Sequence, residues 1–266
     1  MKSRVISALV MFLVLVPIFF NGGPFYNITI LLIGLLGIHE YLNIREEKKA
    51  IPDFMKFVAY IMFTIIVLAN ISNQNTVYSI DFKVISALFI SMLLPVTLYH
   101  DRNIYSINDA FYLMGGVFFL GVSFNLFIVL RNISLYYLVY LFLITIITDS
   151  YAYFGGMLVG KTKLLESVSP KKTVEGTVIG SLVGTFIAAY FFHLVVNPEL
   201  SMFVVIIMTL FLSILGQFGD LVFSFIKRYF GKKDFSNMIP GHGGILDRCD
   251  SIIFVILGFM FFISII

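Results

Sequence analysis

The sequence predicts an all-α polytopic membrane protein with about nine transmembrane helices. Of its 266 residues, 59% are hydrophobic and only 12% are charged, whereas soluble domains carry roughly 25% charged residues. The mean hydropathy is +0.99, and long uncharged stretches recur along the chain. Because a helix needs about 20 apolar residues to cross a bilayer, these stretches have the length of transmembrane spans. The single cysteine excludes an internal disulfide.

The apolar stretches divide the chain into candidate spans joined by short polar connections. They comprise residues 5–20, 25–43, 57–73, 83–99, 109–130, 134–158, 176–196, 200–226 and 247–266. Lys2 and Arg4 make the first stretch similar to a secretory signal, but no cleavage site of small residues follows, so we expect a permanent anchor. No soluble domain is visible. We predict one integral membrane domain, with residues 1–130 mainly as scaffold and residues 131–266 carrying the chemistry.

The basic residues predict the orientation of the chain. If the N-terminus lies in the cytoplasm, all but two of the 18 Lys and Arg residues fall on the cytoplasmic side, the exceptions being Lys83 and Arg131. This distribution follows the positive-inside rule and favours an odd number of spans. With no targeting extension visible, we expect a multi-pass protein of a bacterial plasma membrane.

Polar side chains within the spans concentrate between residues 149 and 250. Two basic loops on the cytoplasmic side, 159–175 and 227–246, lie in this part of the chain. Each loop is flanked by acidic residues at helix ends. We therefore predict a polar active-site cavity that opens to the cytoplasm.

The first polar group lies in the stretch FGDLVFSFIKR. Asp220, Ser224, Lys227 and Arg228 are spaced so that they share one face of a helix. An aspartate within a span costs about 2.5–3.5 kcal/mol in insertion measurements, so Asp220 must face a partner or a water-filled cavity. The alternative is a structural ion pair with Lys227 or Arg248.

The second polar group opens the last span, in the stretch IPGHGGILDRCD. Asp247 and Asp250 are three residues apart and share one face of the first helical turn, where the helix dipole stabilises negative charge. That placement alone would explain two acids with Arg248 as a neighbour. If Asp220 converges with them, the three carboxylates offer the hard oxygen ligands that Mg²⁺ prefers.

The glycines of the same stretch favour a role in binding. Gly241, Gly243 and Gly244 allow close approach of the backbone to a ligand, and their amides can cradle phosphate oxygens. His242 lies between them and is either a structural hydrogen-bonding residue or part of the site.

The third polar group runs from an aspartate within a span to two adjacent lysines. Asp149 is followed by tyrosines and glycines, and Ser169 and Pro170 fit the start of a helix. Lys171 and Lys172 are point charges that can bind a triphosphate or a lipid phosphate. The alternative is ordinary positive-inside topology or attraction to anionic headgroups.

Two weaker features are left open by the residues alone. His39 and Glu40 end the second predicted span, and they either cap that helix or line the same cavity. Gly180 and Gly184 form a G-x-x-x-G pair, which favours either a homodimer or an internal helix contact.

The stretch SFIKRYFGKKDFSNMIPGHGGILDRCD, residues 224–250, resembles the signature of the phosphatidate cytidylyltransferases, also called CDP-diacylglycerol synthases. The pattern runs Ser-x-apolar-Lys-Arg, four residues, Lys-Asp, then Pro-Gly-His-Gly-Gly and Asp-Arg-x-Asp. DSYAYFGG and SPKKTVEG upstream also look like family elements in the expected order. The N-terminal third carries no specific motif.

The resemblance implies the reaction CTP + phosphatidate → CDP-diacylglycerol + pyrophosphate, dependent on Mg²⁺ and with a second cation left open. CTP, phosphatidate and membrane lipid are then the partners, and no nucleic acid is expected. The expected metal ligands are Asp220, Asp247 and Asp250. The expected catalytic residues are these three with Lys227, Arg228, Arg248 and His242. The expected substrate-binding residues are Asp149, Lys171, Lys172, Ser224, Gly241, Gly243 and Gly244.

An ion-coupled membrane transporter is the alternative from another functional class. Intramembrane aspartates and glycine-rich breaks also mark ion-coupled transport. Transporters usually place such residues near the bilayer midplane in matched halves, whereas here they cluster at one face and in one half.

Overall fold

A computed structural model describes residues 13–69 and 81–264, and these residues are mostly helical. In chain order the helices are α1 (residues 13–21), α2 (Gly23–Glu46), α3 (Asp53–Val67), α4 (Phe82–Tyr99), α5 (Ile107–Ile133), α6 (Leu135–Val159), α7 (Val174–Phe191), α8 (Met202–Tyr229) and α9 (Leu246–Phe259). A π-helical turn, Phe192–Val196, extends α7. The chain is thus a polytopic, mostly helical membrane protein, as predicted.

The helices match the predicted spans closely, although not all have spanning length. Six described helices, α2 and α4 to α8, are long and apolar enough to cross a membrane. Helices α3 and α9 have 15 and 14 residues, so they extend only about 21–23 Å, against a hydrocarbon core of about 30 Å. The first predicted span lies partly outside the described residues. The count of nine spans therefore stays a prediction.

The first of two compact units comprises Met1–Ile133 and Asp234–Asp247. Its centre is α5, which contacts α2, α3 and α4 and is the most buried of the six long helices. Arg131 near the end of α5 donates to the carbonyls of Phe19 and Phe20, at 2.6 and 2.7 Å. This cation therefore satisfies carbonyls at the end of α1, which have no partner within that helix.

A buried carboxylate ties α2 to the start of α5 within the same unit. Asp109 is 4% exposed, forms ion pairs with Arg45 and Lys49, and accepts hydrogen bonds from the amide and hydroxyl of Ser106. Its charge is fully compensated by neighbouring donors, which indicates a structural role.

The second unit comprises Ser134–Lys233 and Arg248–Ile266. It contains α6, α7 and α8, most of α9, and a short hairpin of β1 (Lys163–Leu165) and β2 (Ser169–Thr173). Hydroxyl pairs join α6 to α8: Thr148 bonds Ser213 and Tyr140 bonds Thr209, each at 2.8 Å. Such bonds stabilise helix packing where the surroundings are apolar.

The glycine pair of α7 serves an internal contact. A Cβ atom at Gly180 would lie 2.5 Å from the carbonyl oxygen of Thr148 and 2.7 Å from the Cβ of Ala152, both on α6. Gly184 also faces Thr148. Of the two alternatives left open by the sequence, the internal contact is therefore the one that the structure contains, and this pair gives no support to a homodimer.

The prediction that Ser169 and Pro170 begin a helix is wrong. These residues lie in β2, which pairs antiparallel with β1, and α7 begins only at Val174. Thr173 provides the N-cap, since its hydroxyl accepts from the amide of Gly176 at 3.2 Å. Glu175 in the first turn also accepts from the amides at the start of the hairpin, which fixes the hairpin on α7.

Replacement of Gly180 by alanine should destabilise the protein. The added methyl group would overpack the α6–α7 contact, and a cost of about 1–3 kcal/mol should lower the melting temperature in detergent by roughly 3–10 °C. Gly115→Ala is the matched control, because a Cβ there meets no atom within 4 Å. An unchanged melting temperature for Gly180→Ala, together with loss of a dimer in size-exclusion chromatography, would instead assign the glycine pair to a subunit interface.

Candidate active site

The centre of the candidate site in the second unit is an ion pair between β2 and α8. Lys172 of β2 forms this pair with Oδ2 of Asp220, and the two side chains remain 26% and 27% exposed. Ser224, one turn further along α8, donates to Oδ1 of Asp220 at 3.3 Å. The hairpin conformation therefore brings a lysine to the aspartate that the sequence placed on the polar face of α8.

A close contact between α8 and α9 places Asp220 near a second carboxylate. A Cβ atom at Gly219 would lie 2.8 Å from the carbonyl oxygen of Asp250, so only glycine permits this separation. Asp250 interacts electrostatically with Asp220, Lys227 and Asp149. The predicted convergence of the carboxylates from α8 and α9 thus includes Asp220 and Asp250, and also Asp149 of α6.

This group of charges is only partly compensated and is accessible. Three carboxylates share two lysines, Lys172 and Lys227. Asp149 is exposed, and Lys172, Asp220 and Asp250 are half-buried, so none of the four is enclosed by the protein. Ser251 of α9 adds a weak bond to Asp149 at 3.5 Å. The arrangement can bind a cation with its carboxylates and an anion with its lysines.

The side chains of this group are of the chemical type that binds Mg²⁺. Carboxylate oxygens are hard ligands, and Mg²⁺ is usually held by one or two carboxylates with water and substrate phosphates completing its shell. Within the part of the chain that the structure describes, no three Asp, Glu, His or Cys side chains are arranged to hold a metal by themselves. Asp220 and Asp250 would therefore supply only part of the coordination shell.

Arg228 bonds to the hairpin and to the end of α8, and its catalytic role stays a prediction. Its guanidinium donates to the carbonyl of Val168 at 3.3 Å and to that of Lys232 at 2.7 Å. Val168 lies in the turn of the hairpin, so these bonds join the hairpin to the end of α8. The structure thus places Arg228 where it supports the strand that carries Lys172.

The glycine-rich segment and Asp247 belong to the first unit. Oδ2 of Asp247 accepts hydrogen bonds from the amides of Phe235 and Gly244, both at 2.9 Å. A Cβ atom at Gly243, whose φ is +82°, would lie 2.9 Å from the same oxygen. The amide of Gly244, which we expected to cradle a phosphate, is thus engaged by Asp247. The metal role of Asp247 stays a prediction.

Sequence reasoning underestimated one residue, Glu40 on α2. Its side chain is 1% exposed and accepts hydrogen bonds from the hydroxyl of Ser236 and from the amides of Ile245 and Leu246. It caps the start of α9, and neither of the two roles considered for it describes this. The available signal was an acidic residue placed inside a long apolar stretch, but its partners, about 200 positions later, could not be read from the sequence.

The remaining predicted residues lie in less buried positions. Lys171 is exposed on β2, and Gly241 and Arg248 are also exposed. His242 is half-buried, and its amide donates to the carbonyl of Ile239 at 2.9 Å in the turn before α9. Their substrate contacts stay predictions.

Comparison with known proteins gives a consistent result. Residues 2–266 match the model of the cytidylyltransferase family. The chain is 36% identical over 257 residues to the phosphatidate cytidylyltransferase of Staphylococcus haemolyticus, a match that covers 96% of both chains. It is 36% identical over 260 residues to the protein of that name from Staphylococcus aureus, again covering 96% of both chains. These similarities do not favour the transporter alternative.

The match to the family extends over nearly the whole chain and includes both compact units. It therefore includes the helices without a specific motif as well as the polar groups described above. The chain belongs to the cytidylyltransferase family, and it is a nucleotidyltransferase.

Proposed function

We propose that this protein catalyses the transfer of the cytidylyl group of CTP to phosphatidate, forming CDP-diacylglycerol and pyrophosphate in phospholipid biosynthesis. The observation that carries the proposal is the identity of 36% with phosphatidate cytidylyltransferases over 96% of both chains. The cluster of Asp220, Asp250 and Lys172 supports it, because both substrates are anions that need compensating charge.

In the proposed reaction, a phosphate oxygen of phosphatidate attacks the α-phosphorus of CTP. The bond from that phosphorus to the bridging oxygen breaks, and pyrophosphate leaves. The attacking oxygen is already ionised at neutral pH, so the chain does not have to supply a general base. Catalysis then depends on positioning and on neutralising charge, as in other phosphoryl transfers.

Five charged side chains of the second unit have defined tasks in this proposal. Lys172 and Lys227 bind phosphate oxygens, and Asp220 and Asp250 would hold Mg²⁺. Bound Mg²⁺ would neutralise charge on the phosphate oxygens and on the departing pyrophosphate. The Lys172–Asp220 pair keeps both side chains oriented before the substrates arrive. Arg228 supports Lys172 through the hairpin.

We further propose that the site faces the cytoplasm of a bacterial plasma membrane and that nine spans place the N-terminus on the same side. The distribution of basic residues supports this orientation, since only Lys83 and Arg131 fall on the other side. The similar proteins come from bacteria. CTP then reaches the site from the cytoplasm, and phosphatidate reaches it from the adjacent leaflet.

An assay with labelled CTP tests the reaction. The purified protein in detergent micelles, given CTP labelled at the α-phosphate, phosphatidate and Mg²⁺, should transfer the label to a lipid and release one pyrophosphate per lipid formed. EDTA should abolish the transfer. Diacylglycerol in place of phosphatidate is the control and should give none, because it lacks the attacking phosphate. A folded sample that transfers no label with any divalent cation would contradict the proposal.

The two adjacent lysines of β2 should differ in their contribution. Lys172→Ala removes a charge-assisted contact worth about 1.5–3 kcal/mol, so kcat/KM for CTP should fall by roughly 10–100-fold. Lys171→Ala is the comparison: successive strand side chains point to opposite faces, and Lys171 is exposed. As the weaker substrate contact, Lys171 should contribute less, and its replacement should lower kcat/KM by only a few fold. An equal decrease in kcat/KM for both variants would show that the two lysines act only through their general positive charge.

A further inference from the structure

We propose that Glu40 of α2 is a positioning residue for Asp247 and for the glycine-rich segment that precedes it, which are predicted to take part in the reaction. Its carboxylate would fix the conformation of residues 235–247, hereafter the glycine-rich loop, and with it the start of α9. This inference rests on the proposed function for its catalytic consequence, while its structural part concerns the loop itself. It assigns a role in the reaction to the N-terminal third of the chain, where the sequence shows no family motif.

The contacts of Glu40 all go to the glycine-rich loop and the first residue of α9. Oε1 accepts from the hydroxyl of Ser236 at 2.6 Å and from the amide of Ile245 at 2.9 Å. Oε2 accepts from the amide of Leu246 at 2.9 Å. The carboxylate thus joins both ends of the loop, since Ser236 lies near its beginning and Leu246 near its end.

The energetics explain why a charged side chain is tolerated at this position. An unpaired carboxylate that is 1% exposed would be strongly destabilising. Glu40 gains three hydrogen bonds, and two of them come from amides at the N-terminus of α9, where the helix dipole favours a negative charge. Because the carboxylate comes from a different helix, α2, it acts as a cap that also fixes the loop to α2.

The packing around Glu40 requires the glycine that follows Gly243. A Cβ atom at Gly244 would lie 2.5 Å from each carboxylate oxygen of Glu40, so any larger residue would displace the carboxylate. A second close contact joins α2 to the start of α9: a Cβ atom at Gly37 would lie 3.2 Å from the side chain of Leu246. The second glycine of the Gly-Gly pair is therefore explained by the approach of Glu40.

Glu40 and Asp247 divide the amides of the loop between them. Asp247 binds the amide of Gly244, and Glu40 binds the next two, those of Ile245 and Leu246. Three consecutive amides are thus held by two carboxylates of the protein. Loss of the Glu40 charge would weaken the bonds to the amides of Ile245 and Leu246. The turn that contains Asp247 would then be held mainly by Asp247 itself.

Hydrogen exchange and kinetics together test this inference. In Glu40→Gln the side chain keeps its size but loses its charge, and its NH₂ group faces amide donors. We expect exchange in peptides covering residues 235–247 to accelerate by about tenfold or more, the factor that corresponds to one charged hydrogen bond. We expect kcat for cytidylyl transfer to fall by at least roughly tenfold, with a smaller change in KM for CTP.

Asp109→Asn is the matched control, because Asp109 is a buried carboxylate of the same unit and its partners lie outside the glycine-rich loop. It should lower the melting temperature while leaving both exchange in residues 235–247 and kcat per folded molecule unchanged. Ser236→Ala is the milder variant if Glu40→Gln does not fold. It removes one of the three bonds and should accelerate exchange in the same peptides by a few fold.

Each outcome decides a separate part of the inference. Unchanged exchange in residues 235–247, or an increase spread evenly over the protein, would overturn the role of Glu40 in holding the loop. Faster exchange with an unchanged kcat would overturn its consequence for catalysis. If the unmodified protein transfers no label to phosphatidate, the proposed function fails, and the exchange data still test the structural part independently.

Discussion

A carboxylate in an apolar helical protein must find hydrogen-bond donors, a cation or water, and this constraint organises the polar parts of this chain. Asp109 and Glu40 in the first unit are almost completely buried, and each is bonded by several donors of the protein itself. Their charges are satisfied without any ligand. Such carboxylates hold helices and loops in place.

The carboxylates of the second unit are compensated differently. Asp149, Asp220 and Asp250 interact with one another and share two lysines, and they remain at least partly accessible. Mutual repulsion of this kind is relieved by a divalent cation, whereas a purely structural group would be expected to gain more donors. The contrast between carboxylates that are fully bonded by protein donors and carboxylates that share few cations therefore separates the supporting acids from those proposed to take part in the reaction.

Features that depend on local pattern could be predicted from the sequence, and features that depend on distant contacts could not. The helix positions follow from apolar length, and the polar face of Asp220, Ser224 and Lys227 follows from helical spacing. The hairpin around Pro170 was missed because Ser-Pro also fits a helix start, and the bonds of Glu175 that favour the hairpin are tertiary. The role of Glu40 was missed because its hydrogen bonds are also tertiary and join residues far apart in the sequence.

Several amides of the glycine-rich loop are bonded to carboxylates of the protein, and this affects which groups can bind phosphate. Glycines near a phosphate site are often interpreted as an amide cradle. In this protein the amides of Gly244, Ile245 and Leu246 are bonded to carboxylates. They contribute shape and rigidity, and the phosphate contacts of Gly241 and Gly243 stay predictions. In the proposed function, Lys172, which is held by Asp220 on a hairpin that Arg228 supports, supplies positive charge for the phosphates.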